Sequence, residues 1–215
     1  NMGVVPPEDG FLQGLRRLCD EHGALLIFDE VITGFRLSFS GAAGFYHVTP
    51  DLVTYGKIIG AGMPVGAYGG RKEIMEMVAP AGPVYQAGTL SGNPIAMAAG
   101  LEQLKILWED QEIYTRLYQK GQVLYDGIRR ILLEKDLPYQ VNSVSSLGCI
   151  FFTGEKVKDY ATAKTSDTKK FADYFQYMLN HGVHMAPSQF EAMFLSDAHT
   201  QEDIDTTLDL IKRYF

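Results

Sequence analysis

Apolar positions recur at helical spacing from the start of the chain, where Phe11, Leu15, Leu18 and Cys19 share one face after Pro7-Glu8-Asp9. Gly23 then offers the left-handed stop that helix ends favour, so a helix of about four turns is predicted. The pattern changes to Ala24-Leu25-Leu26-Ile27-Phe28, an unalternated run too short for a helix, which predicts a strand covered on both faces. That run ends in Asp29-Glu30. Residues 32–50 are rich in glycine and aromatics without a period, and Pro50 to Gly56 reads as a second strand with Lys57 directly behind it. Glycines punctuate the next stretch, in which Val65 to Tyr68 has room for another short strand.

Asn93 and Pro94 form an N-cap and first helical position for a helix over residues 95–109, and helical spacing resumes from Ile113 to Leu133. Residues 139–153 carry strand-like runs around Gly148, and 153–170 is polar and loop-like. Asp167 caps a helix bearing Phe171, Phe175, Met178 and Leu179, which Gly182 ends. Thr200-Gln201-Glu202-Asp203 opens a last helix in the manner of a capping box. Helix alternating with buried strand predicts an α/β fold with a mostly parallel sheet over residues 1–107. A linking helix and a smaller α+β domain are expected over 108–215.

Charge and composition narrow the partners. The formal net charge is −7, without the clustered Lys and Arg that phosphate neutralisation needs, which argues against a nucleic-acid surface. No apolar run reaches the ~20 residues of a membrane span, so no membrane partner is expected and small molecules are the expected ligands. Cys19 and Cys149 lack both metal-ligand spacing and the dense pattern of a secreted scaffold, which suits free thiols in the cytoplasm. The opening Asn1-Met2-Gly3-Val4-Val5 reads like the middle of a domain, so a portion of a longer protein is expected.

In open parallel sheets ligands sit outside the carboxyl ends of the strands, where the pattern places both Asp29 and Lys57. A lysine held among glycines and apolar residues loses hydration, which lowers its pKa and lets the neutral amine attack an aldehyde. An aspartate beside a pyridine nitrogen keeps that nitrogen protonated and makes the ring an electron sink. Each residue also has a plainer reading, since a single lysine is usually a solvated charge and a carboxylate at a strand end is often a cap. Gly88-Thr89-Leu90-Ser91-Gly92 ahead of a helix start suits a phosphate, or is a capped turn. Glu191, flanked by apolar residues in Ala186 to Ala192, reads as a partly buried acid with a raised pKa or as an exposed carboxylate at a turn. His181 and His184 lack a third ligand and read as helix-end packing, so no metal is expected. Trp108 and the Met and Phe stripes read as core, and the lysines at 156, 158, 164, 169 and 170 as a solvated loop.

Taken together, Leu26-Ile27-Phe28-Asp29-Glu30-Val31, Tyr55-Gly56-Lys57-Ile58-Ile59-Gly60-Ala61-Gly62 and Gly88-Thr89 resemble the class III aminotransferase family of fold type I pyridoxal-phosphate enzymes. The resemblance implies that Lys57 forms the Schiff base with pyridoxal 5'-phosphate, that Asp29 bonds its pyridine nitrogen and that Val31 packs on the ring. It also implies that Gly88 and Thr89 bind the phosphate of the neighbouring subunit's cofactor in a homodimer. Tyr85 to Pro94, Ala186 to Ala192 and Ala198-His199-Thr200 are similar to the aminomutase branch, which starts from the pyridoxamine 5'-phosphate form and needs no separate amino acceptor. An acid at Glu191 suits that branch, because no arginine for a substrate carboxylate occurs between Arg130 and Arg213. The family's Ser-Gly-Thr phosphate cup and ring-stacking aromatic are not found in this sequence, so the chain alone is expected to be inactive. The rivals are an aminotransferase on the same scaffold, which would need a 2-oxo acid, and a non-catalytic binding domain that kept the fold.

Overall fold

The computed structural model describes all of residues 1–215. It divides into two compact units, Asp9–Tyr114 and a second made of Asn1–Glu8 with Thr115–Phe215. Helix α4 (Pro94–Glu109) belongs wholly to the first unit, and the division after Tyr114 falls in the first turn of the helix that follows, Glu112–Glu134. Residues 1–8 join the second unit, in which Val4 is buried and the Gly3 N–H donates to Phe190 O at 2.7 Å.

In the first unit, α1 (Phe11–His22) ends at Gly23, whose left-handed φ of 62° fits the expected stop. Strands β1 (Ile27–Asp29) and β2 (Leu52–Tyr55) pair in parallel, with Asp29 opposite Thr54. Strand β3 (Ala67–Gly70) runs antiparallel to β2, so the three-stranded sheet is mixed. The connection from β2 to β3 is too short for the dozen or more residues of a parallel crossover, and the chain simply turns back. The stretch 32–50, expected to be irregular, contains the short helix α2 (Gly41–Phe45), and a second short helix, α3 (Lys72–Met75), follows β3.

Buried Asp51 ties this unit together at the start of β2. It accepts from the Leu26 N–H at 2.8 Å, from Arg16 at 2.7 Å and from Arg71 at 3.1 Å. The Leu26 N–H first, then both guanidinium groups, hold its carboxyl well below the usual carboxylate range. The expectation of a strand covered on both faces is not met, for Leu25 and Ile27 are half exposed. Trp108, expected in the core, is 64% exposed, its ring inclined to that of Phe39 at 5.2 Å between ring centroids. The reason is that α4 is apolar around much of its circumference while only one face, at Ala96, Gly100 and Leu107, is buried.

The second unit has a fuller core. Helix α5 (Glu112–Glu134) buries Leu124, Tyr125, Ile128 and Leu132 against an antiparallel sheet of β4 (Gln140–Val144), β5 (Leu147–Phe151) and β6 (Met193–Phe194). Helices α7 (Thr168–Asn180) and α8 (Gln201–Tyr214) pack on the same core through Tyr174, Met178, Ile204 and Ile211. Their starts follow the sequence signals, as Asp167 accepts from two backbone N–H groups and Thr200 forms a reciprocal capping box with Asp203. The polar stretch before α7 contains one short helix, α6 (Tyr160–Ala163), capped by Asp159. The five lysines there and nearby are exposed. His181 packs at the end of α7, its ring 4.1 Å from that of Tyr177. Both cysteines are free thiols, and no helix is long and apolar enough to cross a membrane.

Candidate active site

The two parallel strands end side by side, and this is what brings the candidate residues together. Asp29 is the last residue of β1 and lies opposite Thr54, so Lys57, three positions beyond Thr54, sits on the same carboxyl-terminal edge. One oxygen of Asp29, Oδ1, accepts from the Val31 N–H at 3.0 Å and from the Thr54 hydroxyl at 3.3 Å. These two donors orient the carboxylate and leave Oδ2 available. The sequence offered Thr54 only as part of a strand. Its parity opposite Asp29 was the one signal that could have found it.

Glu30, adjacent to Asp29, takes a different task. Its side chain turns inward, is 1% exposed, and accepts from the Ala42 and Ala43 N–H groups at 2.7 and 2.8 Å and from the Thr33 hydroxyl at 2.7 Å. It therefore satisfies the open amino end of α2. Gly41, with φ 64°, is required there because a Cβ would run into the Glu30 carboxylate. The plain capping role weighed for the acidic pair thus falls to Glu30, and Asp29 is left facing solvent.

Lys57 opens a short 3-10 turn, Lys57–Gly60, and has a left-handed φ of 47°. A side chain in that region costs roughly 1–3 kcal/mol, which persists only where the surroundings enforce it. Enforcement comes from extended Gly56 on one side and from α4 on the other. Gly100 of α4 lies so close to Ile59 O that a Cβ there would overlap it, and this packing fixes the turn. Val31 is part of the same edge, its Cγ1 3.3 Å from where a Cβ on Gly56 would stand. The expected dehydration of Lys57 is not provided by its neighbours, since its side chain is exposed.

Gly88 and Thr89 lie in an exposed loop ahead of α4, where the Ser91 N–H donates to Gly88 O at 3.0 Å. Asn93 closes that loop, its side chain accepting from the Ile95 and Ala96 N–H groups at 3.1 Å each. Glu191 belongs to the second unit, half-buried at a turn in which its N–H donates to Ser188 O at 3.2 Å, and its carboxylate accepts from the Asn1 side chain. It combines features of both sequence readings. A hollow of about 460 Å³ in the first unit, between α1 and His47 to Thr49, does not include Asp29 or Lys57. Its Arg16 is already committed to Asp20 and Asp51.

The family description "Aminotransferase class-III" matches residues 1–215. A glutamate-1-semialdehyde 2,1-aminomutase of Lachnoclostridium phytofermentans is 63% identical over 214 residues, covering 100% of this chain and 50% of that protein. One from Acetivibrio thermocellus is 59% identical over 215 residues, covering 100% and 49%. Among solved structures, a β-phenylalanine aminotransferase from Variovorax paradoxus superposes with a TM-score of 0.92 at 31% identity, covering 99% of this chain and 49% of that one. A glutamate-1-semialdehyde aminomutase from Pseudomonas aeruginosa, a lysine-to-alanine variant in complex with PMP, superposes with a TM-score of 0.88 at 25% identity, covering 99% and 49%. The chain spans about half the length of the curated relatives it matches. On the strand-end lysine and aspartate together with these matches, the chain belongs to the class III aminotransferase family.

Proposed function

We propose that this chain is the lysine-bearing portion of a pyridoxal-phosphate-dependent aminomutase that converts glutamate-1-semialdehyde to 5-aminolevulinate, a step toward tetrapyrroles. The observation that carries the reading is the strand-end pair, with Asp29 oriented by Val31 and Thr54 and Lys57 held at φ 47° on the same edge. A pyridine nitrogen requires a carboxylate with a free oxygen, and Asp29 Oδ2 meets that requirement. When bound, pyridoxal phosphate supplies the electron-withdrawing ring that carries the migrating amino group.

This chain's residues bind and move protons around it. Asp29 holds a proton on the ring nitrogen by charge, and Val31 offers an apolar contact for the ring face. Lys57 would hold the cofactor through its aldehyde group, and its amine, when free, would carry protons at the reacting substrate carbons. Glu191, in the second unit, is the further catalytic candidate, read as an acid. The first unit forms part of the cofactor-binding large domain and the second the C-terminal small domain. In a cytoplasmic homodimer, Gly88 and Thr89 complete the neighbouring site, which their exposure and that of Leu90 (65%) support.

The test is turnover by the full-length enzyme supplied with glutamate-1-semialdehyde and no other amino acceptor. Formation of 5-aminolevulinate, lost in Lys57→Ala, supports the reading. A second reading, an aminotransferase, is favoured by the transaminase structures at 31–32% identity. It wins if turnover demands a 2-oxo acid. Absence of any Lys57-dependent visible absorbance on adding pyridoxal phosphate would point to a binding domain without catalysis.

A further inference from the structure

The segment Ala186 to Ala192 that bears Glu191 contains no helix or strand, and besides the backbone bond from the Gly3 N–H to Phe190 O its position is set by side chains. Strand β6 is only two residues long and pairs with β5 at Leu147 and Gly148. The Leu195 N–H donates to Ser146 O at 3.0 Å, which places Ser146, Gly148, Ile150 and Phe152 on one edge, since alternate residues of a strand direct their backbone groups the same way. Beyond Gly148, β6 no longer covers that edge. The Gln189 side chain takes over, its Nε2 donating to Ile150 O at 2.7 Å and its Oε1 accepting from the Phe152 N–H at 3.3 Å.

A primary amide presents a donor and an acceptor as a peptide unit does, so Gln189 continues the ladder with its side chain. It is 2% exposed, where an unpaired N–H or C=O is costly. The Cys149 thiol donates to Gln189 O at 3.5 Å, and burial first of all pushes that thiol up to about 12, so it stays protonated and able to donate. Two residues on, the Glu191 N–H and the Phe190 N–H both turn back to Ser188, at 3.2 Å to its carbonyl and 3.3 Å to its hydroxyl. Gln189 is thus a fixed point from which the Glu191 turn projects, beside the Gly3 N–H that holds Phe190 O.

We propose that Gln189 is a positioning residue for Glu191, its amide pinning the acid-bearing turn to the free edge of β5. The inference rests on the reading of Glu191 as an acid acting on substrate. In the full-length enzyme, Gln189→Leu is expected to lower kcat by roughly tenfold to a hundredfold, the range that a displacement of order 1 Å produces. It should add little in a Glu191→Gln background, because both changes then remove one function. Gln189→Glu supplies an independent reading. The introduced carboxyl, when protonated, donates to Ile150 O and accepts from Phe152 N–H, so kcat should approach wild type at low pH and fall as pH rises, a step absent from the parent. If Gln189→Leu fails to fold, this pH step decides. A Glu191→Gln enzyme with unchanged kcat sinks the underlying reading and the proposal with it. An impaired Glu191→Gln beside a Gln189→Leu that loses only thermal stability, or a Gln189→Glu without the pH step, overturns the proposal alone.

Discussion

Lys57 combines a strained backbone with an exposed amine, and the two properties separate by mutation. Lys57→Ala should abolish turnover of the full-length enzyme by about 10²-fold or more. Lys57→Gly should do the same yet melt above Lys57→Ala, because glycine adopts φ 47° without the left-handed penalty. Differential scanning calorimetry of the two variants checks the order, and a lower melting point for the glycine variant would remove the strain argument. Asp29→Asn keeps the hydrogen bonds from Val31 and Thr54 but removes the charge that holds a ring proton. Its kcat should fall by roughly tenfold or more, equivalent to about 1.4 kcal/mol, without a matching loss of stability. At this scale the sequence placed both residues, because charge at the end of an apolar run is legible in one dimension. Thr54 and the inward turn of Glu30 were not, since both depend on which strand lies alongside.

Among the elements, α4 has the strongest local signal and the most consequence for the site. Asn93 caps it with two backbone hydrogen bonds, and Asn93→Ala should cost about 1 kcal/mol of stability. The same helix presses Gly100 on the lysine turn, so cofactor affinity measured by titration of the full-length variant should weaken with it. In the second unit, Asp197 joins α5 to the segment before α8 by accepting from Arg116 at 2.8 Å and Lys120 at 3.2 Å. The Arg116 hydrogen bonds foremost lower its carboxyl from 3.8 to about 2. A depressed folded value means that its stabilisation is complete above about pH 4 and disappears as pH falls toward 2. The melting difference between the parent and Asp197→Asn should therefore narrow across that window. A difference independent of pH there would show that the ion pairs contribute nothing. Pairing partners of this kind lie roughly eighty positions apart in the chain, so no local pattern announced them.

For the whole molecule, the proposed homodimer makes a prediction that neither unit makes alone. If Thr89 completes the site of the other subunit, Lys57→Ala and Thr89→Ala chains are each impaired, but a mixed dimer contains one intact site. Random mixing should restore about a quarter of wild-type activity, because half of the dimers are mixed and each has one site of two. No gain on mixing would place Thr89 within its own subunit's site. In the first unit, Phe11, Ile27, Ile95 and Leu101 are each more than half exposed.

By itself the sequence determined the helices with caps, the strand-end placement of Asp29 and Lys57, and the family, because periodicity, capping and motif spacing act over a few neighbouring residues. Only the tertiary structure decided that β3 returns antiparallel, that the units divide after Tyr114, and that Glu30 turns inward where Asp29 faces solvent. It alone also decided that Lys57 lies exposed and strained. Those outcomes turn on which surfaces meet, and surfaces meet through contacts between residues far apart in the chain, where side-chain volume and unpaired backbone groups select one arrangement.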